Sequence, residues 1–265
     1  MKIYISADIE GITGVTHWDE TELPKEDSHI PREQMTAEVA AACEGALQAG
    51  ATEIWVKDAH DTGRNIIASR LPQEARLIRG WSGHPFLMLQ ELDDSFQAVL
   101  LIGYHSRAGA GTSPLAHTIT GQITRMTINS REASEFLIHA YVTGFLKVPL
   151  AFVSGDKGLC TESIQFNPHI GTVEVKEGIG NSTVSIHPAL ATTRIREGVA
   201  KALKGDLSQC QVPLPDHFSV EVQYRDHFKA YLYGFFPGAK QIDPVTVQFE
   251  SQSYFEVMRF LLFTA

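Results

Sequence analysis

The sequence predicts an α/β fold: a mostly parallel central sheet flanked by helices, with a smaller C-terminal α+β subdomain. Three observations carry this expectation. Residues 2 to 60 run strand, helix, strand with one helix-length crossover, which is the βαβ unit of a parallel sheet. Ala98-Val99-Leu100-Leu101-Ile102 is a continuous apolar run, typical of a strand covered on both faces. Pro213-Leu214-Pro215 then reads as a linker, and two strand patterns with a closing helix follow it. The expected division is a larger α/β domain over 1–205 and a smaller α+β unit over 206–265.

Taken in order, Lys2-Ile3-Tyr4-Ile5 is a buried first strand, and Ser6-Ala7-Asp8-Ile9-Glu10-Gly11 closes it. Residues 15 to 30 carry Asp19, Glu20, Glu22, Lys25, Glu26 and Asp27, and read as a mobile surface loop. Pro31 suits the first position of a helix, because its missing N–H would be unpaired there. Met35, Val39, Ala42, Ala46 and Leu47 keep helical spacing up to Gly50. The second strand runs from Glu53 into Asp58-Ala59-His60. A short strand at Ala75–Ile78, a helical segment at Phe86–Leu92 and the apolar strand delivering Tyr104-His105 come next. A loop of small residues from Ser106 to Ala116 precedes His117. Gly121–Asn129 alternates as a strand, Ser134–Leu146 is helical, and Leu150–Val153 is a strand ending at Ser154-Gly155-Asp156. Strands at Thr172–Val175 and Thr183–Ile186, and a helix at Pro188–Leu203, complete the larger domain. The smaller unit has strands at Ser219–Tyr224 and Val245–Glu250 and a helix from Tyr254.

Composition narrows the function. A net charge of −9, with no basic run, argues against a nucleic-acid partner. No apolar stretch reaches membrane-span length, and the first strand begins too early for a signal peptide. Cys43, Cys160 and Cys210 are odd in number and far apart, which fits reduced thiols in a cytoplasmic protein. Chemistry concentrates instead at strand ends. Asp8 and Glu10, two residues apart, point to one side of a strand. Two adjacent carboxylates repel unless a cation sits between them. His60 and His105 follow two other strands, and ligands in open parallel sheets bind beyond the carboxyl ends. Carboxylates with neutral imidazoles suit Zn²⁺, Mn²⁺ or Co²⁺ better than Mg²⁺ or Ca²⁺.

These motifs, taken together, resemble the M55 metallopeptidases, D-aminopeptidases of the DppA type. The resemblance lies in Ser-x-Asp-x-Glu-Gly at the start, Asp58-Ala59-His60, Gly103-Tyr104-His105 with Arg107, Ala116-His117, and Glu135 with Ala140-Tyr141. It runs in order to about residue 160, and more weakly through Pro244–Phe249. The loop from His105 to His117 is slightly longer than the family pattern. The resemblance implies a zinc-dependent aminopeptidase that removes the N-terminal residue of short peptides, D-alanyl peptides above all. It implies two zincs per chain, with Asp8 bridging and Glu10, His60, His105 and Glu135 as the other ligands. His117 would be the catalytic histidine. About eight donor positions are needed for two four-coordinate zincs, and this set plus a bridging hydroxide supplies them. The resemblance also implies a ring-forming homo-oligomer, a decamer. His139 stands four residues after Glu135 and is expected in packing or behind the ligands; Asp58 is a runner-up, suited to orienting a ligand histidine. Two other classes stay open. A metal-dependent phosphoesterase would need cationic residues for phosphate, for which Arg107 is the near candidate, and a non-catalytic metal-binding protein would close its metal with four protein ligands.

Overall fold

In the computed structural model, which describes all 265 residues, the chain opens with β1 (Lys2–Ala7) and crosses through α1 (His29–Gln48) to β2 (Glu53–Asp58). β3 (Ala75–Ile78), β4 (Ala98–Tyr104), β5 (Ile123–Ile128) and the two-residue β6 (Arg131–Glu132) follow. Then come α2 (Glu135–Leu146), β7 (Leu150–Asp156), α3 (Lys157–Phe166), β8 (Gly171–Ile179), β9 (Ser182–Ser185) and α4 (Pro188–Leu203). The last segment holds β10 (Phe218–Tyr224), α5 (His227–Tyr233), β11 (Ala239–Asp243), β12 (Thr246–Ser251) and α6 (Tyr254–Thr264).

The larger sheet has the order β3-β2-β1-β4-β7-β8-β9, parallel throughout except for β9. Parallel strands need cover on both faces. On one face α1 and α4 lie against each other, so close that a Cβ on Gly45 would overlap the Arg196 carbonyl. On the other face, α2 and α6 fill the space up to an antiparallel sheet of order β11-β12-β10-β5-β6. Residues 206–265 supply three strands of this second sheet, and β5 and β6 from mid-chain complete it. Tyr141, Phe218 and Tyr254 pack edge-on or tilted against one another between the layers, and the Tyr254 hydroxyl donates to Ile138 O at 2.7 Å.

Several elements depart from expectation. α1 begins two residues before Pro31, which still falls in the first turn, where no N–H is required of it. Phe86–Leu92 makes only a single 3₁₀ turn at Leu87–Leu89, because Leu87 and Glu91 adopt left-handed φ values of 48° and 61° that break an α-helix. Gly121–Asn129 is a strand, yet it joins the second sheet rather than the first. Residues 15 to 30 are pinned rather than loose: they form two 3₁₀ turns, and Thr21 is fully buried. No helix is long and apolar enough to cross a membrane.

Candidate metal centre

The strand order β2-β1-β4 puts whatever follows β1 between whatever follows its neighbours. Asp8 and Glu10 therefore stand between His60 and His105, with all four side chains buried. The backbones approach closely: Asp8 N donates to Ile102 O at 2.9 Å, and Gly11 N to Gly103 O at 2.8 Å. A Cβ on Gly11 would overlap the Tyr104 carbonyl oxygen, so only glycine fits after Glu10. Glu135 comes from the other layer. Ser134 caps α2 by accepting from Leu137 N at 3.1 Å, which leaves Glu135 as the first helical residue. Its Oε1 accepts from Ile119 N at 2.7 Å. His117 stacks on His105, with ring centroids 4.3 Å apart, and Trp18 meets it edge-on at 5.3 Å.

Each of the three histidines commits one nitrogen to a backbone carbonyl. His60 Nε2 lies 3.0 Å from Thr21 O, His105 Nδ1 2.9 Å from Ser106 O, and His117 Nδ1 2.9 Å from Leu115 O. A carbonyl oxygen can only accept, so these nitrogens carry hydrogen. The opposite nitrogens face carboxylates. His60 Nδ1 is 3.3 Å from Asp8 Oδ1 and 3.0 Å from Glu10 Oε2. His105 Nε2 is 3.4 Å from both Asp8 Oδ2 and Glu135 Oε2. His117 Nε2 is 3.6 Å from Glu135 Oε1 and 4.0 Å from Glu10 Oε1. A neutral ring would turn its lone pair onto anionic oxygen. A second proton on the ring or a metal ion between the donors resolves that opposition.

The donor set fits a metal. Asp8 Oδ2, Glu10 Oε2 and His105 Nε2 are buried without a hydrogen-bond partner. Two donors about 2.0–2.1 Å from a tetrahedral zinc stand about 3.3 Å apart, which matches the Asp8 contacts with His60 and His105. The donors form overlapping groups: Asp8 with Glu10 and His60, Asp8 with His105 and Glu135, and Glu10 with His105 and His117. Asp8 belongs to the first two groups through different oxygens.

Without a metal, the electrostatics polarise sharply. Burial, reinforced by the charge of Glu10, pushes the Asp8 carboxyl well above its usual range. Burial would also raise Glu10 and Glu135, but His60 holds Glu10 well below the ordinary value and His105 holds Glu135 down at about 2. Burial would depress both imidazoles. The charge of Glu10 overrides it at His60, which rises well above normal, and Glu135 overrides it at His105, which reaches about 10. The metal-free cluster thus stores protons where metal would sit.

His139 stays out of the cluster. Its Nδ1 donates to Glu135 O at 2.7 Å, and burial lowers it to about 4, leaving it neutral packing as expected. Asp58 does not orient a histidine, contrary to expectation. It accepts from Asn65 N and Ile66 N, and from Asn65 Nδ2, and so fixes the loop whose Asn65 also donates to His60 O at 2.8 Å. Arg107 turns its Nη1 to Glu132 at 3.5 Å and to Ala108 O, and it does not line the cavity over the cluster, where a phosphate would bind. Three contributors carried no sequence signal: the Thr21 carbonyl, the Ile119 amide, and Lys176. The buried Lys176 Nζ donates to Glu10 O and, at 2.6 Å, to Val15 O, holding both ends of the turn that bears Glu10.

The cluster forms the floor of a cavity of about 540 Å³, open to Asp8, Glu10, His60, His117 and Glu135. Comparison with known proteins agrees with this chemistry. The Peptidase_M55 family, described as D-aminopeptidase, matches residues 1–263. A D-aminopeptidase of Bacillus subtilis (strain 168) is 31% identical over 264 residues, covering 99% of this chain and 96% of that protein. A solved structure is also similar, with a TM-score of 0.92 at 29% identity over 99% of this chain and 96% of the other. It is described as Zn-dependent D-aminopeptidase DppA from Bacillus subtilis, a self-compartmentalizing protease.

Proposed function

The chain belongs to the M55 family of peptidases, the D-aminopeptidases, and on that premise we propose how its acid and imidazole cluster releases the first residue of a short peptide. Two zinc ions would be held, one by Glu10 and His60, the other by His105 and Glu135, with Asp8 shared between them. The observation that carries this is the division of Asp8, one oxygen toward His60 and the other toward His105. Zinc in such a site supplies a Lewis acid for the scissile carbonyl and lowers the pKa of water toward neutrality.

The remaining steps fall to the chain's own residues. Of the two imidazoles of the cluster that line the cavity, His60 would be taken by zinc, which leaves His117, its side chain 14% exposed, for substrate to reach. Its Nδ1–H is fixed on Leu115 O, which leaves Nε2 to take a proton from attacking water and return it to the leaving amine. Trp18 and the His105 ring hold that imidazole from two sides. The peptide's amino terminus is drawn to the acidic floor, and the cavity admits a few residues beyond it. Preference for D-alanyl peptides, a cytoplasmic site of action and assembly into a self-compartmentalising decamer complete the reading; the described relative supports zinc and the assembly.

The test is release of free amino acid from matched D-alanyl and L-alanyl tripeptides, before and after chelation and after zinc is restored. Metal-dependent release from the D series alone is expected. Release from the L series alone would discard the stereochemistry, and silence from protein holding two metals would discard the reaction.

A further inference from the structure

We propose that the mouth of this cavity selects peptides by charge, favouring cationic or neutral residues after the first and rejecting acidic ones. The selectivity rests on the peptidase reading above. Beyond the floor, the lining carries two further carboxylates, Glu22 and Asp61, both exposed, and no lysine or arginine. The carboxylates of the floor face metal and imidazole; those of the rim face solvent and whatever arrives. Two indoles flank them, Trp18 at 38% and Trp81 at 43% exposure, offering surface to an ammonium-bearing chain. Asp61 and Trp81 form one unit: the indole N–H donates to Asp61 O at 2.6 Å, and Asp61 itself sits at φ 44°.

Two nearby ammonium groups are committed elsewhere. Lys57 lies 3.9 Å from the Trp81 ring centroid, buried, and donates to Gly80 O at 2.5 Å. Lys25 pairs with Asp19 at 3.0 Å. A peptide bearing glutamate at the rim therefore meets the like charge of Glu22 and Asp61, with no lysine or arginine of the lining to offset it. Such repulsion acts mainly on encounter and binding, and it weakens with salt.

The test uses zinc-loaded full-length protein and three D-alanyl-glycyl tripeptide amides ending in lysine, glutamine or glutamate. At low ionic strength kcat/KM should fall in that order, with lysine favoured over glutamate by about tenfold, mostly in KM. High salt should compress the ratio. In the double variant Glu22→Gln, Asp61→Asn the ratio should approach one, and in Glu22→Lys, Asp61→Lys it should invert. Both positions are exposed, so the variants are expected to fold. Equal rates for all three peptides would overturn the charge selection and leave the peptidase standing. A ratio that survives neutralisation would assign it elsewhere and overturn the proposal. No cleavage of any peptide would overturn both readings.

Discussion

At the scale of the residue, the roles proposed for Asp8 and His117 predict different losses. His117→Ala should retain bound zinc while turnover falls by about 10²–10⁴, the range for a lost acid–base group. Elemental analysis beside the peptide assay checks this, and near-normal turnover would remove His117 from the mechanism. Asp8→Asn should lose metal together with activity; full zinc occupancy in that variant would end the shared-ligand assignment. The metal-free protein should also show a defined pH response. His105, at about 10 when folded against 6.5 when free, stabilises the fold fully below pH 6.5 and loses that contribution as pH rises through 10. Glu135, at about 2 against 4.5, contributes above pH 4.5 and is lost only as pH falls through 2. The stability that these two groups contribute in chelated protein is therefore largest between pH 4.5 and 6.5, and the share of His105 falls toward pH 10. Melting of chelated wild type and His105→Gln across pH 6.5 to 10 isolates that share; identical slopes in the two proteins would contradict the arrangement.

At the scale of the element, the turn after β1 that carries the acid pair is the sensitive joint. Gly11→Ala would drive a methyl into the Tyr104 carbonyl and displace Glu10, whose own carbonyl is held by Lys176. Loss of about 1–3 kcal/mol is expected, as for other overpacked sites, with weaker zinc binding. Denaturant unfolding and metal titration read the two effects, and unchanged values for both would refute the joint. Sequence made much of this level legible. The apolar runs of β1, β2 and β4 and the polar residues ending them located Asp8, Glu10, His60 and His105 without any structure. Glu135 was visible only through family resemblance, because an acid at a helix start is ordinary on its own. The acidic composition of residues 15 to 30 concealed that Trp18 and Thr21 face the site; what buries them is tertiary packing. α3 went unseen although Asp156, its cap, accepts from Leu159 N at 2.9 Å, because that aspartate also ends β7. α5 is one short turn pair that composition does not mark.

At the scale of the whole molecule, the donors are scattered from Asp8 to Glu135 and belong to three strands, a loop and a helix in the second layer. Apart from the neighbouring Asp8 and Glu10, none of them is near another until β1 has paired with β2 and β4 and α2 has docked. Those are distant pairings along the chain, which form late and slowly. Metal bound at this cluster would consequently be a lock applied to a finished structure, unlike a zinc finger, where the ion gathers a short chain. Zinc added to refolding protein should leave the folding rate unchanged and act only on unfolding, which it should slow in proportion to its binding. Stopped-flow refolding with and without zinc measures this directly; faster folding with metal would mean that a partial site assembles before the sheet does. The cell could thus make and store this chain empty, fully folded, and arm it afterwards.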